Sequence, residues 1–216
     1  MLVTVPVEPP QYPVNLIVEG RPCLVVGAGA VAARKVAGLL ACGANVTVVA
    51  PEVGEEIESW ASAGRVALAR RPYESGEVAG YRLVIAATDD HAVNALVFAD
   101  GEASGVWVNS ADDPATCSFT LPSVVRRGPL VVTVATGGHS PALATWLRAR
   151  LEREVGDEYR ILLELLSAER EALKAAGRST EGLDWQKALD SNMLELIRAG
   201  QIGQARERLQ ACLSSS

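Results

Sequence analysis

Residues 22–35 read PCLVVGAGAVAARK, and this stretch decides the fold. An apolar run from Pro22 to Val26 meets two glycines, Gly27 and Gly29, and then a small-residue segment that ends in two cations. GAGAVA over 27–32 fits G-x-G-x-x-G/A with Ala32 in the third place. Alone, the motif is weak; directly after an expected strand and opening an expected helix, it marks a dinucleotide-binding turn. A pyrophosphate must lie against backbone N–H groups at the positive end of the helix dipole, closer than side chains permit. Gly27 is expected to make the tight turn, Gly29 to admit the phosphates with Ala30 and Val31 beside them, and Ala32 to let the helix approach its strand. A glycine-rich turn without a ligand is the plainer alternative.

Working outward, ANVTVVAP reads as a second strand, EVGEEIESWASAG as a second helix, RVALARR as a third strand and YRLVIAAT as a fourth. DDHAVNALVFADGEAS then reads as a helix and GVWVNS as a fifth strand. Strands alternating with helices predict an α/β, Rossmann-like parallel sheet with helices on both faces, over residues 1–113. The pattern then changes. SFTLPSVVRRGPLVVTVATGG holds two strand-like runs about a turn at Arg127-Gly128-Pro129, a hairpin signal. SPALATWLRARLEREVG is a helix with Ser140 at the cap and Pro141 at its first position. Together they mark a small α+β region over 114–150. From 151 to 216 the chain reads as a C-terminal helical domain, with a stripe of Ile161, Leu162, Leu165 and Leu166 and another of Trp185, Leu189, Met193, Leu196 and Ile197. Gly177 to Gly182 is the expected joint between them.

Composition narrows the function. With 216 residues, 49% hydrophobic and 21% charged, the chain is expected to fold and to bury a sizeable core. A net charge of −6 disfavours a general nucleic-acid binder, so a polyanionic ligand must find a local basic patch. Four scattered cysteines form no CxxC pair, and two histidines, His91 and His139, are too few for a His-rich metal site. No apolar run is long enough to span a bilayer, and MLVTVPVEPPQYP lacks the basic and apolar regions of a secretory leader, so a cytoplasmic protein is expected.

Candidate site residues fall at the ends of the expected strands. An acid that holds the adenosine ribose belongs at the end of the second strand, where Pro51 and then Glu52 stand. Glu52 disfavours a 2′-phosphate and no arginine is read at that tip, which favours NAD over NADP. Glu52 also reads as a first-turn helix charge. Thr88 and Asp89 end the fourth strand, where they can face a cofactor or cap the next helix. Asn109, Asp112 and Asp113 emerge from the fifth. Asp112 is the candidate general base for a proton lost alongside a hydride, although Asp-Asp-Pro also starts an ordinary turn.

Taken together, YPVNLIVEGRPCLVVGAGAVAARKVAGLLACGANVTVVAPE, VIAATDD and VNSADDPATCSFTLPSVVRRGPLVVTVATGGHSPALA closely resemble the precorrin-2 dehydrogenase family, including the dehydrogenase/ferrochelatase module of siroheme synthase. The resemblance runs from about Tyr12 to Arg150. It implies NAD-dependent oxidation of precorrin-2 to sirohydrochlorin on the path to sirohaem, with ferrous insertion into sirohydrochlorin as an added activity in the alternative. It also implies a homodimer, with 114–150 as the dimerisation and substrate region. The family's essential aspartate follows an asparagine as Asn-x-x-Asp, which Asn109 and Asp112 match. Asn109 and the loop Thr136, Gly137, Gly138, His139 and Ser140 are the implied substrate contacts. That loop leads into the Pro141 helix and is expected to offer backbone N–H groups to an anion. Arg126, Arg127, Arg148 and Arg150 could supply a basic patch for a tetrapyrrole bearing many carboxylates, with ordinary solvated surface charges as the alternative. Thr116, Cys117 and His139 depart from the family pattern; Cys117 reads as a small residue at a buried edge. A nucleotide-sensing regulatory module is the competing class, and it leaves Asn109, Asp112 and the TGGHSP loop without a role.

Overall fold

The computed structural model describes residues 11–214. The expectation about a leader concerns residues 1–13 and lies largely outside them. The chain divides into two compact units, one ending at Leu121 and one beginning at Pro122.

In the first unit, β1 (Pro22–Val26), β2 (Asn45–Val49), β3 (Ala67–Ala69), β4 (Leu83–Ala86) and β5 (Trp107–Ser110) form one sheet in the order β3-β2-β1-β4-β5. Every pairing is parallel. Parallel neighbours need crossovers, and α1 (Ala30–Ala41), α2 (Glu55–Ser62) and α3 (His91–Ser104) supply three of them. Side chains alternate across a strand, so each strand feeds two cores. Cys23, Val25, Val46, Val48 and Ile85 pack with Ala32, Val36 and Ile57 of α1 and α2. Leu24, Val26, Val49, Val84 and Val108 pack on the other face with Val97 of α3. The expected doubly covered sheet is what forms. The third strand is only Ala67–Ala69, and the link from β3 to β4 contains no helix. That link is tied down by Asp100, which accepts from the Tyr73 hydroxyl at 2.6 Å and the Gly76 N–H at 2.8 Å.

After β5 the chain turns through a short 3-10 turn, Pro114–Thr116, and folds back along that strand. Asn109 bridges to Cys117, and the Ser118 N–H donates to the Val108 carbonyl at 2.8 Å. Residues 114–119 thus line the outer side of β5.

In the second unit, β6 (Ser123–Arg127) and β7 (Leu130–Val134) make the expected antiparallel hairpin, with Arg127 opposite Leu130. Gly128 takes φ +56 at the first turn position, which primed two-residue hairpin turns require. Helix α4 (Pro141–Glu154) begins as expected: the Ser140 hydroxyl accepts from the Leu143 N–H at 3.1 Å. α5 (Glu158–Ala175), α6 (Trp185–Leu189), α7 (Met193–Arg198) and α8 (Ile202–Ser214) close around Leu162, Leu165, Met193, Ile197 and Leu209. The second apolar stripe is therefore split between two short helices. Asn192, at φ +68, makes the break, and Leu189 is left 38% exposed while Met193 is fully buried. Among the described residues no helix is long and apolar enough to cross a membrane.

Candidate active site

Because β1, β4 and β5 run parallel, their carboxyl ends share one edge of the sheet. The strand order reverses between β1 and β4, and in such sheets ligands bind in the crevice where it does. The edge carries Gly27 after β1, Thr88 after β4 and Asp112 after β5.

The glycine turn has two different reasons for being bare. Gly27 sits at φ +106, and a Cβ there would lie 2.3 Å from the Ala87 carbonyl oxygen, so its own neighbour strand forbids a side chain. A Cβ on Gly29 would meet nothing within 4 Å, so the space beside it is open. Gly29 caps α1 with no side-chain acceptor, which leaves the first N–H groups of the helix, including those of Ala30 and Val31, facing that space without a capping group. A small turn with open space at an uncapped helix start fits a pyrophosphate. Ala32 is fully buried against the sheet, as expected of the third small position.

At the end of β2, Pro51 and Glu52 are exposed. Glu52 precedes Gly54, the cap of α2, so the first-turn acids of that helix are Glu55, Glu56 and Glu58 instead. The reading of Glu52 as a first-turn charge is thus corrected. The expectation that no arginine stands nearby also needs correction. Ala69 at the end of β3 accepts from the Ala50 N–H at 3.1 Å, which brings Arg70 beside the β2 tip. Its guanidinium is paired with Glu58 at 2.5 Å.

At β4 the cap of α3 is Asp90, whose carboxylate accepts from the N–H groups of Ala92 and Val93. Neither Thr88 nor Asp89 does that job; Asp89 is exposed. Thr88 is fixed by Asn94, whose Oδ1 accepts from the Thr88 hydroxyl at 2.8 Å and from its N–H at 3.2 Å. Asn94 also donates to the Thr88 carbonyl at 2.9 Å, and it is 1% exposed. No reading of the sequence singled it out.

Asp112 lies at the end of β5 with both carboxylate oxygens engaged. Oδ1 accepts from the Ser110 hydroxyl, and Oδ2 lies 2.5 Å from Nδ1 of His91, the first residue of α3. Burial alone would raise its pKa; hydrogen bonds from Ser110, Asn94 and His91 outweigh it and hold the carboxyl down at about 2. Asp112 is therefore ionised throughout the neutral range. Ser110 and His91 were also missed as site residues. The available signal was that one of only two histidines follows an Asp-Asp pair at the start of a helix on this edge.

Asn109 is 7% exposed, and its amide donates to the Phe119 carbonyl at 3.0 Å and toward Cys117 Sγ at 3.5 Å. That geometry gives it the task of holding the fold-back beneath Asp112. Cys117 Sγ accepts from the Ser110 N–H at 3.2 Å and donates to the Ser110 carbonyl at 3.3 Å, and burial pushes its thiol pKa up. It is a packing residue of this loop. Asp113 caps the 3-10 turn through the Ala115 N–H.

The TGGHS loop belongs to the second unit. Thr136 closes it: its carbonyl accepts from the His139 N–H at 3.1 Å, and its hydroxyl accepts from the Ser140 N–H at 3.2 Å. Those two N–H groups are spent within the loop. The N–H groups of Gly137 and Gly138 have no partner among the described residues. The arginines are also more committed than expected. Arg127 donates to the Glu152 carbonyl at 2.8 Å, Arg148 pairs with Glu152 at 2.5 Å, and Arg150 pairs with Glu154 at 3.0 Å. Among the described residues no group of three or more His, Cys, Asp or Glu side chains is arranged to hold a metal ion.

A five-stranded parallel sheet with a bare turn after its first strand defines the class: an α/β dinucleotide-binding protein. The family described as "Putative NAD(P)-binding" matches residues 14–123. The siroheme synthase of Nitrosococcus oceani is 42% identical over 206 residues, covering 94% of this chain and 44% of that protein. The siroheme synthase of Methylobacillus flagellatus is 38% identical, with 94% and 44% covered. The chain thus spans less than half the length of the curated relatives it matches. Among solved structures, SirC, a precorrin-2 dehydrogenase, superposes with a TM-score of 0.68 at 27% identity, covering 95% of this chain and 98% of that one. The chain belongs to that NAD(P)-binding family, and the precorrin-2 dehydrogenases expected from the motifs are the branch these comparisons support.

Proposed function

We propose that the chain is an NAD-dependent precorrin-2 dehydrogenase, oxidising precorrin-2 to sirohydrochlorin in sirohaem biosynthesis. One observation carries the reading: an uncapped, open helix start at Gly29 and an ionised carboxylate at Asp112 lie on the same carboxyl edge of one parallel sheet. The names of its relatives, siroheme synthase and precorrin-2 dehydrogenase, agree with it.

A bound nicotinamide would supply the acceptor for a hydride. The chain's own residues hold and orient. The N–H groups at the start of α1 bind the pyrophosphate, Gly29 leaves room for it, and Pro51 and Glu52 meet the adenosine ribose. Thr88 and Asp89 border the crevice. Asp112, kept charged by Ser110 and His91, belongs to the cluster that receives the proton leaving with the hydride. The glycines of the 136–140 loop offer N–H groups to a substrate carboxylate, with His139 and Ser140 shaping that loop.

Exposed Leu143 and Trp146 on α4 and Val124 on β6 support a homodimer built on this part of the second unit, since such apolar positions seek cover. A second reading adds ferrous insertion into sirohydrochlorin, with Asp112 removing pyrrole protons; the siroheme synthase relatives favour it.

The test is anaerobic incubation of the purified chain with precorrin-2 and NAD, followed by nucleotide reduction and then by addition of ferrous ion. Reduction of NAD with appearance of sirohydrochlorin supports the dehydrogenase. Metal uptake no faster than in a protein-free control removes the second reading.

A further inference from the structure

The proposed dehydrogenation needs a group that takes a proton near neutral pH, and Asp112 is poorly suited to do so unaided. Both of its oxygens are already acceptors, from Ser110 and His91, and its carboxyl is held at about 2, far below the range where an efficient general base lies. An imidazole lies against it. His91 side-chain exposure is 84% while that of Asp112 is 21%, so the ring is the more exposed partner of the pair. Nδ1 faces Asp112 Oδ2 at 2.5 Å, and this contact fixes Nδ1 as the protonated nitrogen, because an ionised carboxylate can only accept. Nε2 is then the nitrogen with the lone pair, on the exposed side of the ring.

We infer that His91 is a further catalytic residue of the proposed reaction: Nε2 takes the proton, and Asp112 acts through the ring by fixing its tautomer and stabilising the imidazolium. This inference rests on the dehydrogenase reading. Loss of two electrons and two hydrogens from the substrate is then fully assigned. One hydrogen leaves with the electron pair as hydride to the oxidised nucleotide, and the other leaves as a proton to Nε2, from which solvent removes it. The division of labour is that of a carboxylate-oriented imidazole base.

The surroundings of the ring agree. On the α3 side stand Asp89 and Asp90, and on the β5 side Asp112 and Asp113, all acids. Asp90 is committed to the Ala92 and Val93 N–H groups and Asp113 to that of Ala115, which leaves Asp112 as the carboxylate bonded to the ring. The start of α3 opposes an imidazolium on its first residue, which gives the Asp112 contact its task of offsetting the helix dipole.

The experiment has two readouts. Nitrogen-15 spectra of the ring report the tautomer without substrate or nucleotide. They should show His91 in the Nδ1–H form in the wild-type chain, and a mixture in Asp112→Ala, with His139 as internal reference. Steady-state oxidation of precorrin-2 by NAD should show an acid limb in kcat for the wild type. In His91→Gln, kcat should fall by about 100-fold and the limb should vanish, with NAD affinity unchanged. Added imidazole should restore part of the rate to His91→Gly, which a merely structural role would not allow. An Nε2–H tautomer in the wild type, or a His91→Gln enzyme with wild-type rate and pH profile, overturns the assignment alone. A wild-type chain that never reduces NAD with precorrin-2 overturns the dehydrogenase reading and this assignment with it.

Discussion

A Cβ placed on Gly27 would stand 2.3 Å from the carbonyl oxygen of Ala87, while one placed on Gly29 would touch nothing within 4 Å. The two glycines of the motif thus answer to different masters, the first to the neighbouring strand and the second to open space. Gly27→Ala combines a positive φ with a backbone clash and should lose about 3 kcal/mol of stability. Gly29→Ala should melt within about 0.5 kcal/mol of the wild type and yet bind NAD at least tenfold more weakly. Urea denaturation and nucleotide titration of both variants check the pair of outcomes.

Asn94 is the buried clamp on Thr88, bonding its N–H, hydroxyl and carbonyl. Asn94→Ala leaves those groups without their partner and should cost about 2 kcal/mol. Because Thr88 borders the crevice, NAD affinity should fall with stability. Asn94→Leu, of similar bulk, should fare no better, since shape is not what the site lacks. Thermal melting with and without NAD distinguishes the two effects.

The depressed pKa of Asp112 links the site to stability. Its folded value, about 2, lies below the unbonded value of 3.8, so its contribution is fully present above that value and is lost as pH falls through the folded one. Asp112→Asn should be less stable than the wild type at neutral pH, and the gap should narrow from about pH 5 toward pH 2. Urea midpoints of the two proteins across that range measure it. A constant gap would mean that the Ser110 and His91 contacts do not hold the charge.

Arg70 stands beside the β2 tip but is engaged by Glu58 at 2.5 Å. Both side chains are about half exposed, so the pair is weak and an arginine is easily released. Glu58→Gln should raise the preference for NADP relative to NAD by about fivefold without altering the NAD affinity. Competitive binding of the two nucleotides is the check.

Much of the first unit was legible because its signals are local. The apolar runs, the GAGAVA turn and the parallel alternation depend on neighbours in sequence, and the Ser140-Pro141 helix start carries its own cap. What escaped depends on the sheet order. Arg70 comes near the β2 tip because β3 pairs with β2, and His91 meets Asp112 because β4 pairs with β5; neither pairing is written in the local pattern. Asn94 escaped for the reason that a polar residue inside an apolar helix stretch reads as surface until the backbone groups it satisfies are known. The break at Asn192 was hidden by a stripe whose helical spacing runs across it. The arginines of the second unit were visible as charges, but not the glutamates one turn along α4 that occupy two of them.

The proposed chemistry needs a dinucleotide seated at the start of α1 with its reactive ring on the side of Asp112. A crystal structure of the chain with NAD tests this most directly. The expected result is a pyrophosphate within hydrogen-bond distance of the N–H groups of Ala30 or Val31, the adenosine ribose at Glu52, and the nicotinamide in the crevice bordered by Thr88 and Asp112. A nucleotide bound elsewhere, or a nicotinamide turned away from the β5 end, would contradict it.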